Sequence, residues 1–187
     1  MAKQPFLRQF PLFDDLKTSA PSEQIVNVAS VPQLSVFRYP GGKTWFVPHA
    51  RAWLRSFQAK PAVLIEPFAG GGIVGLNMLY SDLVKHVVLV ELDDDIAAVW
   101  QCILSDQASL LVDRIMSFPI SMQSVDEALE RPAHDTTERA FQTILRNRVN
   151  RGGILAPGAG RVKTGEKGKG MFSRWYPQTL AKRIMAI

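Results

Sequence analysis

Residues 63–72 read Val-Leu-Ile-Glu-Pro-Phe-Ala-Gly-Gly-Gly, and a second apolar run, His86–Val90, is followed by Glu91. An apolar run that enters a glycine-rich turn, with a carboxylate about twenty residues later, is typical of a nucleoside site in a doubly wound parallel sheet. The glycines let backbone approach a ligand closely, and the later acid can accept hydrogen bonds from both ribose hydroxyls. The pattern therefore predicts an α/β, Rossmann-like fold that holds a nucleoside.

The turn differs from the dinucleotide-binding version, because Glu66 and Pro67 stand directly before the glycines. A pyrophosphate would sit at a helix N-terminus, where a carboxylate just upstream would oppose it. An acid before glycines instead suits a ligand that carries a cation, and S-adenosylmethionine has an ammonium and a sulfonium. A tight strand-to-helix turn without a ligand is the alternative. The cofactor is favoured because Glu66 and Glu91 both end predicted strands at the same sheet edge.

The composition is that of a globular chain. Its 187 residues are 47% hydrophobic and include one cysteine, Cys102, and three scattered histidines. No stretch approaches the roughly 20 apolar residues of a membrane span, and the N-terminus lacks a signal-peptide core. A single thiol cannot form an internal disulfide, so we expect a cytoplasmic protein without a metal site, in which Cys102 is a small buried apolar residue.

Positive charge is concentrated at the C-terminal end of the chain. Residues 146–187 carry ten basic side chains and one acidic one, whereas residues 1–145 carry 12 and 16. A basic end on a near-neutral body is typical of a protein that binds a polyanion. A solvated basic tail is the alternative.

Hydrophobic periodicity predicts alternating strands and helices first and mainly helices afterwards. The chain divides into an irregular N-terminal extension (residues 1–35), a cofactor-binding part (36–106) and a helical, basic segment (107–187). We expect strands over 62–65 and 86–90, a helix from the glycines to 79, helices over 44–58, 94–104 and 136–149, an interrupted helical stretch over 107–130, a loop over 150–170 and a short helix near 177.

Four motifs in this order resemble the Dam-like, adenine-specific DNA methyltransferases that use S-adenosylmethionine. The first is Arg-Tyr-Pro-Gly-Gly-Lys at residues 38–43, and the second is Glu-Pro-Phe-Ala-Gly-Gly-Gly at 66–72, followed by Asn77. Glu91 is the third, and Asn-Arg-Val-Asn-Arg-Gly-Gly at 147–153 is the fourth. No single motif is specific, but their order and spacing are.

The resemblance implies a Rossmann-like methyltransferase fold with an incomplete parallel sheet and a helical and loop target-recognition segment. Tyr39 would lie against the adenine ring or help line the cofactor pocket. Lys43 would face the carboxylate of S-adenosylmethionine or the base-entry side, and Glu91 would take the ribose. Glu66 would orient the glycine loop or the ammonium. The implied cofactor-binding residues are Tyr39, Pro40, Gly41, Gly42, Lys43, Glu66, Pro67, Phe68, Ala69, Gly70, Gly71, Gly72 and Glu91.

The resemblance also implies that the basic end meets double-stranded DNA. Arginine and lysine neutralise phosphates, and arginine and asparagine suit the reading of guanine and adenine. Asn147 and Arg148 would alternatively cap and brace the end of their own helix, and Trp175 would anchor its loop or stack on a base. The expected DNA-binding residues are Arg146, Asn147, Arg148, Asn150, Arg151, Lys163, Lys167 and Lys169.

The sequence lacks the family's catalytic Asp-Pro-Pro-Tyr tetrapeptide, which holds the amino group of the flipped adenine. In family order this motif follows the recognition region, so we expect it beyond Ile187 and assign no catalytic residue. We interpret the chain as the N-terminal part of an adenine methyltransferase, either truncated or one half of a split enzyme whose second chain supplies the catalytic strand. The alternative is a non-catalytic protein that binds DNA or S-adenosylmethionine. A missing strand predicts an exposed apolar face along strand one.

Overall fold

A computed structural model describes residues 28–38, 42–162 and 170–187 of the chain. Within these residues the fold has two parallel strands, β1 (Val63–Pro67) and β2 (His86–Val90). The α-helices are α1 (Val47–Arg55), α2 (Ile73–Tyr80), α3 (Asp94–Ile103), α4 (Ala108–Ser117), α5 (Met122–Glu130), α6 (Thr136–Val149) and α7 (Pro177–Ile184). Short 3-10 helices cover Val28–Ser30, Lys43–Phe46, Arg151–Gly153 and Phe172–Arg174.

The sheet is covered by helices on one side only among the described residues. The strands pair in register from Val63 opposite His86 to Pro67 opposite Val90, and helix α2 connects them and packs against both. Leu64, Val87 and Leu89 point to the packed side and contact the core. The opposite side is an apolar surface, the outer sheet face, that is 45–61% exposed, and this is the exposed face expected along strand one; its residues are Val63, Ile65, Val88 and Val90.

Local sequence sets where the helices begin. Gly72 precedes α2 with a left-handed φ of 60°, and a Cβ there would lie 3.0 Å from the ring of Trp100. Asp93 accepts hydrogen bonds from the backbone of Asp95 and Ile96 at the start of α3. Asp135 caps α6 in the same way, accepting from the backbone N–H of Glu138 at 2.7 Å. Such caps satisfy backbone donors that have no partner within the helix.

Helix α6 lies at the centre of the larger hydrophobic core. Its Phe141, Ile144 and Leu145 are at most 1% exposed, and the helix contacts α3, α4 and α5. This core extends from Val36 to Ile184, so the cofactor-binding part and the helical segment share it. A smaller core lies under α1 and α2 and includes Val31, a residue that sequence assigned to the N-terminal extension.

Two expectations about the elements need correction. The first predicted helix is shorter than residues 44–58, because residues 43–46 form a 3-10 helix and α1 ends at Arg55. Pro48 lies in the first turn of α1, where its missing N–H breaks no helical hydrogen bond. The predicted loop after residue 149 contains a 3-10 helix and an antiparallel bridge between Asn150 and Arg161.

No helix in the described part of the chain has the length and apolar character to cross a membrane.

Candidate functional site

A cavity of about 360 Å³, the glycine-turn cavity, lies where the turn after β1 meets the end of β2. Its volume falls in the range of small-molecule sites, roughly 300–1,000 Å³. Its position, at the carboxyl ends of parallel strands, is where open α/β sheets bind ligands. The residues that line it are Gln33, Ser35, Phe37, Gly42, Lys43, Thr44, Phe68, Ala69, Gly70, Gly71, Ile73 and Glu91.

The glycine turn is held from two sides. The backbone N–H of Gly70 donates to Glu91 Oε2 at 2.7 Å, and its carbonyl accepts from Trp100 Nε1 at 2.8 Å. A Cβ on Gly71 would lie 2.8 Å from Ser35 Oγ, which is closer than a Cβ approaches another heavy atom. The two hydrogen bonds fix the backbone at the cavity, and a side chain at position 71 would require Ser35 to shift.

Glu91 forms the side of the cavity at the end of β2. Besides the bond from Gly70, its Oε1 accepts from the backbone N–H groups of Leu92 at 2.9 Å and Asp93 at 3.0 Å. An ionised carboxylate offers about four acceptor positions, so three are used and one is left for a ligand. In this arrangement Glu91 can accept from one ribose hydroxyl, and the expected contact with both would require a backbone bond to break.

Glu66 lies behind the glycine turn and does not line the cavity. Its carboxylate is 5% exposed, accepts from the backbone N–H of Gly75 at 2.7 Å and lies 2.8 Å from Lys43 Nζ. Of the two expected roles of Glu66, orienting the glycine loop or the ligand ammonium, this arrangement favours the first. Glu66 holds Lys43 and the first turn of α2 in place, because a buried carboxylate needs such partners.

Lys43 connects this buried acid to the rim of the cavity. Its ammonium also donates to the carbonyl oxygen of Phe68 at 2.9 Å. Phe68 has a φ of 52°, a left-handed conformation that is rare for a bulky residue, and its side chain is 81% exposed. Lys43 thus stabilises an unusual turn and places a compact cation on the wall of the cavity, where a carboxylate could bind.

The cavity contains most of the predicted cofactor residues that the structure describes. Gly42, Lys43, Phe68, Ala69, Gly70, Gly71 and Glu91 line it, whereas Glu66, Pro67 and Gly72 do not. Tyr39, Pro40 and Gly41 lie outside the described residues. Sequence reasoning missed five lining residues. Phe37 and Thr44 flank the Arg-Tyr-Pro-Gly-Gly-Lys motif at residues 38–43, whereas Gln33, Ser35 and Ile73 belong to no recognisable motif.

The end of α6 is tied to the segment before the cavity. Asn147 accepts from the backbone N–H of Arg38 at 2.8 Å and donates to the carbonyls of Arg38 at 2.9 Å and Gly153 at 2.7 Å. Arg148 donates to the carbonyl of Val36 at 2.6 Å. Both side chains are at most 5% exposed, so Asn147 offers DNA no surface in this arrangement, and contact of Arg148 with DNA stays a prediction. Both side chains have the bracing role that was the alternative to DNA binding. They brace α6 against residues 36–38, however, and not only the end of their own helix.

The other predicted DNA-binding residues are placed differently from one another. Asn150 is buried and donates to the carbonyl of Ile154 at 2.7 Å, so it too is unavailable to DNA in this arrangement. Arg146 pairs with Asp95 at 2.9 Å, and Arg151 is exposed. Lys163, Lys167 and Lys169 lie outside the described residues.

Trp175 packs with the aromatic rings of the larger core. Its ring centroid lies 5.7 Å from that of Phe118 in an edge-to-face arrangement, and the side chain is 7% exposed. Such aromatic pairs stabilise a core beyond the area that they bury. Trp175 therefore anchors its loop, which was the favoured of its two expected roles.

The cavity offers a carboxylate, a cation and a bare backbone turn at the end of a parallel β-α-β unit, the position where open α/β sheets bind ligands. A family model, that of the D12 class N6 adenine-specific DNA methyltransferases, matches residues 39–146, more than half of the chain. The chain belongs to this family.

Membership confirms the resemblance noted in the sequence and implies a methyltransferase fold that uses S-adenosylmethionine. The two-stranded parallel sheet is compatible with that fold, but it is only part of one. Among curated proteins none matches the chain. The family match ends at Arg146, so the assignment of residues 147–153 to target recognition stays a prediction.

Proposed function

We propose that this chain binds S-adenosylmethionine in the glycine-turn cavity and serves the N6 methylation of adenine in double-stranded DNA. The observation that supports this most is the convergence of Glu91, Lys43 and the Gly70–Gly71 backbone on one cavity of suitable size. Glu91 would accept from a ribose hydroxyl, and Lys43 would meet the carboxylate of the amino-acid tail. S-adenosylmethionine, when bound, supplies an electrophilic methyl group.

The residues of the chain would fix the ligand before any chemistry occurs. Three backbone N–H groups orient the Glu91 carboxylate, and Glu66 orients Lys43. Trp100 and Ser35 support the glycine turn from behind. A group that is already held in position loses little further freedom on binding, which favours affinity.

Isothermal titration calorimetry with S-adenosylmethionine tests this proposal on the full chain. We expect Glu91→Gln to weaken binding at least about ten-fold, because it removes the negative charge that attracts the ribose hydroxyl and the cationic ligand. Asp106→Asn, at an exposed acid outside the cavity, is the matched control and should leave the affinity unchanged. Equal affinities for all three proteins, or no binding by the unmodified chain, would contradict the proposal.

The acceptor for the adenine amino group would come from a polypeptide segment other than these 187 residues. Methyl transfer to an exocyclic amine needs a flipped base whose nitrogen is aligned by nearby acceptors, and the Asp-Pro-Pro-Tyr sequence is not present. Among the described residues β1 pairs only with β2, so its other edge is free to accept a strand. A continuation of the polypeptide or a second chain would satisfy this edge and cover the outer sheet face.

The full chain by itself should therefore transfer no methyl group to DNA. The check is incubation with duplex DNA and S-adenosylmethionine that carries a tritiated methyl group, followed by counting of the DNA. Turnover above the no-protein background would show that an acceptor lies within these 187 residues.

A non-catalytic protein that binds DNA or S-adenosylmethionine is the second candidate, and the missing tetrapeptide favours it. A self-sufficient binding protein has no need of an apolar sheet surface in contact with water, yet Ile65 in that surface is 61% exposed. The exposed surface therefore favours an enzyme that requires a further segment.

A further inference from the structure

A second recess, of about 760 Å³, shares Gln33 and Phe37 with the glycine-turn cavity. Four arginines line this arginine recess, and no acidic side chain does among the described residues. It is therefore a concentrated positive site, and its charged residues are Arg38, Arg148, Arg174 and Arg183.

The charge of Arg148 is incompletely satisfied by the protein. The residue is 5% exposed, its Nη2 donates to Val36, and its Nε is buried with no hydrogen-bond partner in the described chain. Burial lowers the pKa of Arg148 to about 10, and the positive charges of Arg183 and Arg38 lower it as well. A buried cation without a counter-charge is costly, so an anion in the recess would stabilise it.

Arg183 and Arg174 bring further donors to the same recess. Arg183 donates to the carbonyl of Ser35 at 2.8 Å, and burial lowers its pKa too. The side chain of Arg174 is half-buried, and the backbone N–H of Arg174 donates to the carbonyl of Met171. Planar guanidinium groups present paired N–H donors that match the oxygens of phosphate.

We propose that the arginine recess binds a backbone phosphate of DNA beside the glycine-turn cavity. This proposal rests on the proposed function, because it supplies the contact that keeps DNA next to the bound methyl donor. A phosphate would supply the counter-charge that Arg148 lacks and reduce the repulsion among the four arginines. Tyr176 on the recess wall carries a hydroxyl group that can also donate.

The charge of the recess favours DNA over an acidic segment of a protein. A DNA strand carries one negative charge for roughly every 3.4 Å of helix axis whatever its sequence, whereas a protein segment does so only where acidic residues follow one another. The recess holds four cations in about 760 Å³, which matches the closely spaced charges of a strand. The shared wall of Gln33 and Phe37 also places the recess next to the cavity, within reach of a strand that presents a base there.

Fluorescence anisotropy with a labelled DNA duplex, measured on the full chain at several salt concentrations, tests this proposal. We expect Arg174→Gln and Arg183→Gln to weaken binding about ten-fold and to reduce the slope of log affinity against log salt by about 1. Arg55→Gln, at an exposed arginine at the end of α1, is the matched control for charge and should change affinity less than about two-fold.

A thermal unfolding experiment with inorganic phosphate measures occupancy of the recess directly. Millimolar phosphate should raise the Tm of the unmodified chain more than that of Arg183→Gln, since a ligand stabilises the state that binds it. The comparison between the two proteins removes the general effect of phosphate salts. Without added anion, Arg174→Gln should unfold at a Tm no lower than the unmodified chain, because it removes a like charge.

Two results would overturn the proposal. One is that the recess variants bind DNA as Arg55→Gln does, which is also the outcome expected if an acidic protein segment occupies the recess. The other is an equal rise of Tm with phosphate in the unmodified chain and Arg183→Gln. Calorimetry with S-adenosylmethionine distinguishes failure of this proposal from failure of the proposed function. If the chain binds S-adenosylmethionine but the recess variants show neither effect, only the phosphate site is contradicted.

Discussion

Lys43 joins two parts of the site through one ammonium group. It is the ion-pair partner of buried Glu66 at 2.8 Å and the donor to the strained Phe68 carbonyl at 2.9 Å. Lys43→Met should lower the free energy of unfolding by about 2–3 kcal/mol, because Glu66 Oε1 then stays buried without a partner. Urea denaturation followed by circular dichroism measures this change.

Lys60 provides the matched control for that experiment. It forms an ion pair with Asp82, whose side chain is 89% exposed, so water screens the interaction. Lys60→Met should therefore change the free energy of unfolding by less than about 1 kcal/mol. Equal effects of the two substitutions would mean that Lys43 and Glu66 are separated in solution.

The fate of single residues shows what sequence can and cannot reveal about this site. Glu91 and Gly70 were identifiable because the order strand, glycine turn, strand, acid fixes their positions in space. The structural role of Asn147 could not be identified from sequence, because asparagine suits both a base edge and an internal brace. Its partner Arg38 also lies 109 residues away in the chain. The basic end was interpreted as a DNA surface from its charge and from the family resemblance, and neither reveals which arginines are buried.

Helix α3 contains the single cysteine of the chain in a position where it should be inert. Cys102 is fully buried, and burial raises the pKa of its thiol above the ordinary value of 9.0. The neutral thiol is thus favoured in the folded state. Since the folded pKa exceeds the unfolded one, this stabilisation is present below about pH 9 and is lost as the pH rises through the folded pKa.

Reaction of the thiol with a colorimetric disulfide reagent checks this at pH 8. We expect the folded chain to react at least about a hundred-fold more slowly than the chain in urea, because the thiolate is the reactive form and it is disfavoured by burial. Cys102→Ala should lose less stability than the unmodified chain between pH 8 and 10. Rapid reaction of the folded chain would show that α3 separates from the core.

Whole elements were predicted better than their roles. The bounds of β2 and α6 are those that the sequence predicts, since a continuous apolar run defines β2, and a period of 3.6 with the cap at Asp135 defines α6. The start of α1 was missed by three residues, because a 3-10 helix has similar local sequence requirements. The 3-10 helix at Arg151–Gly153 was read as loop, since glycine and arginine there carry no apolar period.

The outer sheet face is apolar, as a buried sheet face is, although it is exposed among the described residues. If the outer sheet face is in contact with water, Ile65→Thr should change the free energy of unfolding by less than about 0.5 kcal/mol, because a threonine keeps the branched Cβ that suits a strand. It should also reduce self-association in sedimentation velocity experiments, since it makes the surface less apolar.

The same replacement at a buried isoleucine is the control. Ile144 in α6 is 1% exposed, so Ile144→Thr should lower the free energy of unfolding by about 2–4 kcal/mol, through lost packing and a buried hydroxyl. A cost at Ile65 that approaches the cost at Ile144 would mean that another part of the chain, or a second copy, covers the sheet in solution.

A sheet with one apolar face exposed to solvent also affects how the free energy of unfolding varies with temperature. The heat capacity increment of unfolding grows with the apolar area newly hydrated, and half of this sheet's apolar side chains already contact water in the native state. The increment per residue should therefore lie below the usual average for globular proteins, and the curve of stability against temperature should be correspondingly flat. If a further strand docks beside β1, the association should show a negative change in heat capacity in proportion to the apolar area that it buries.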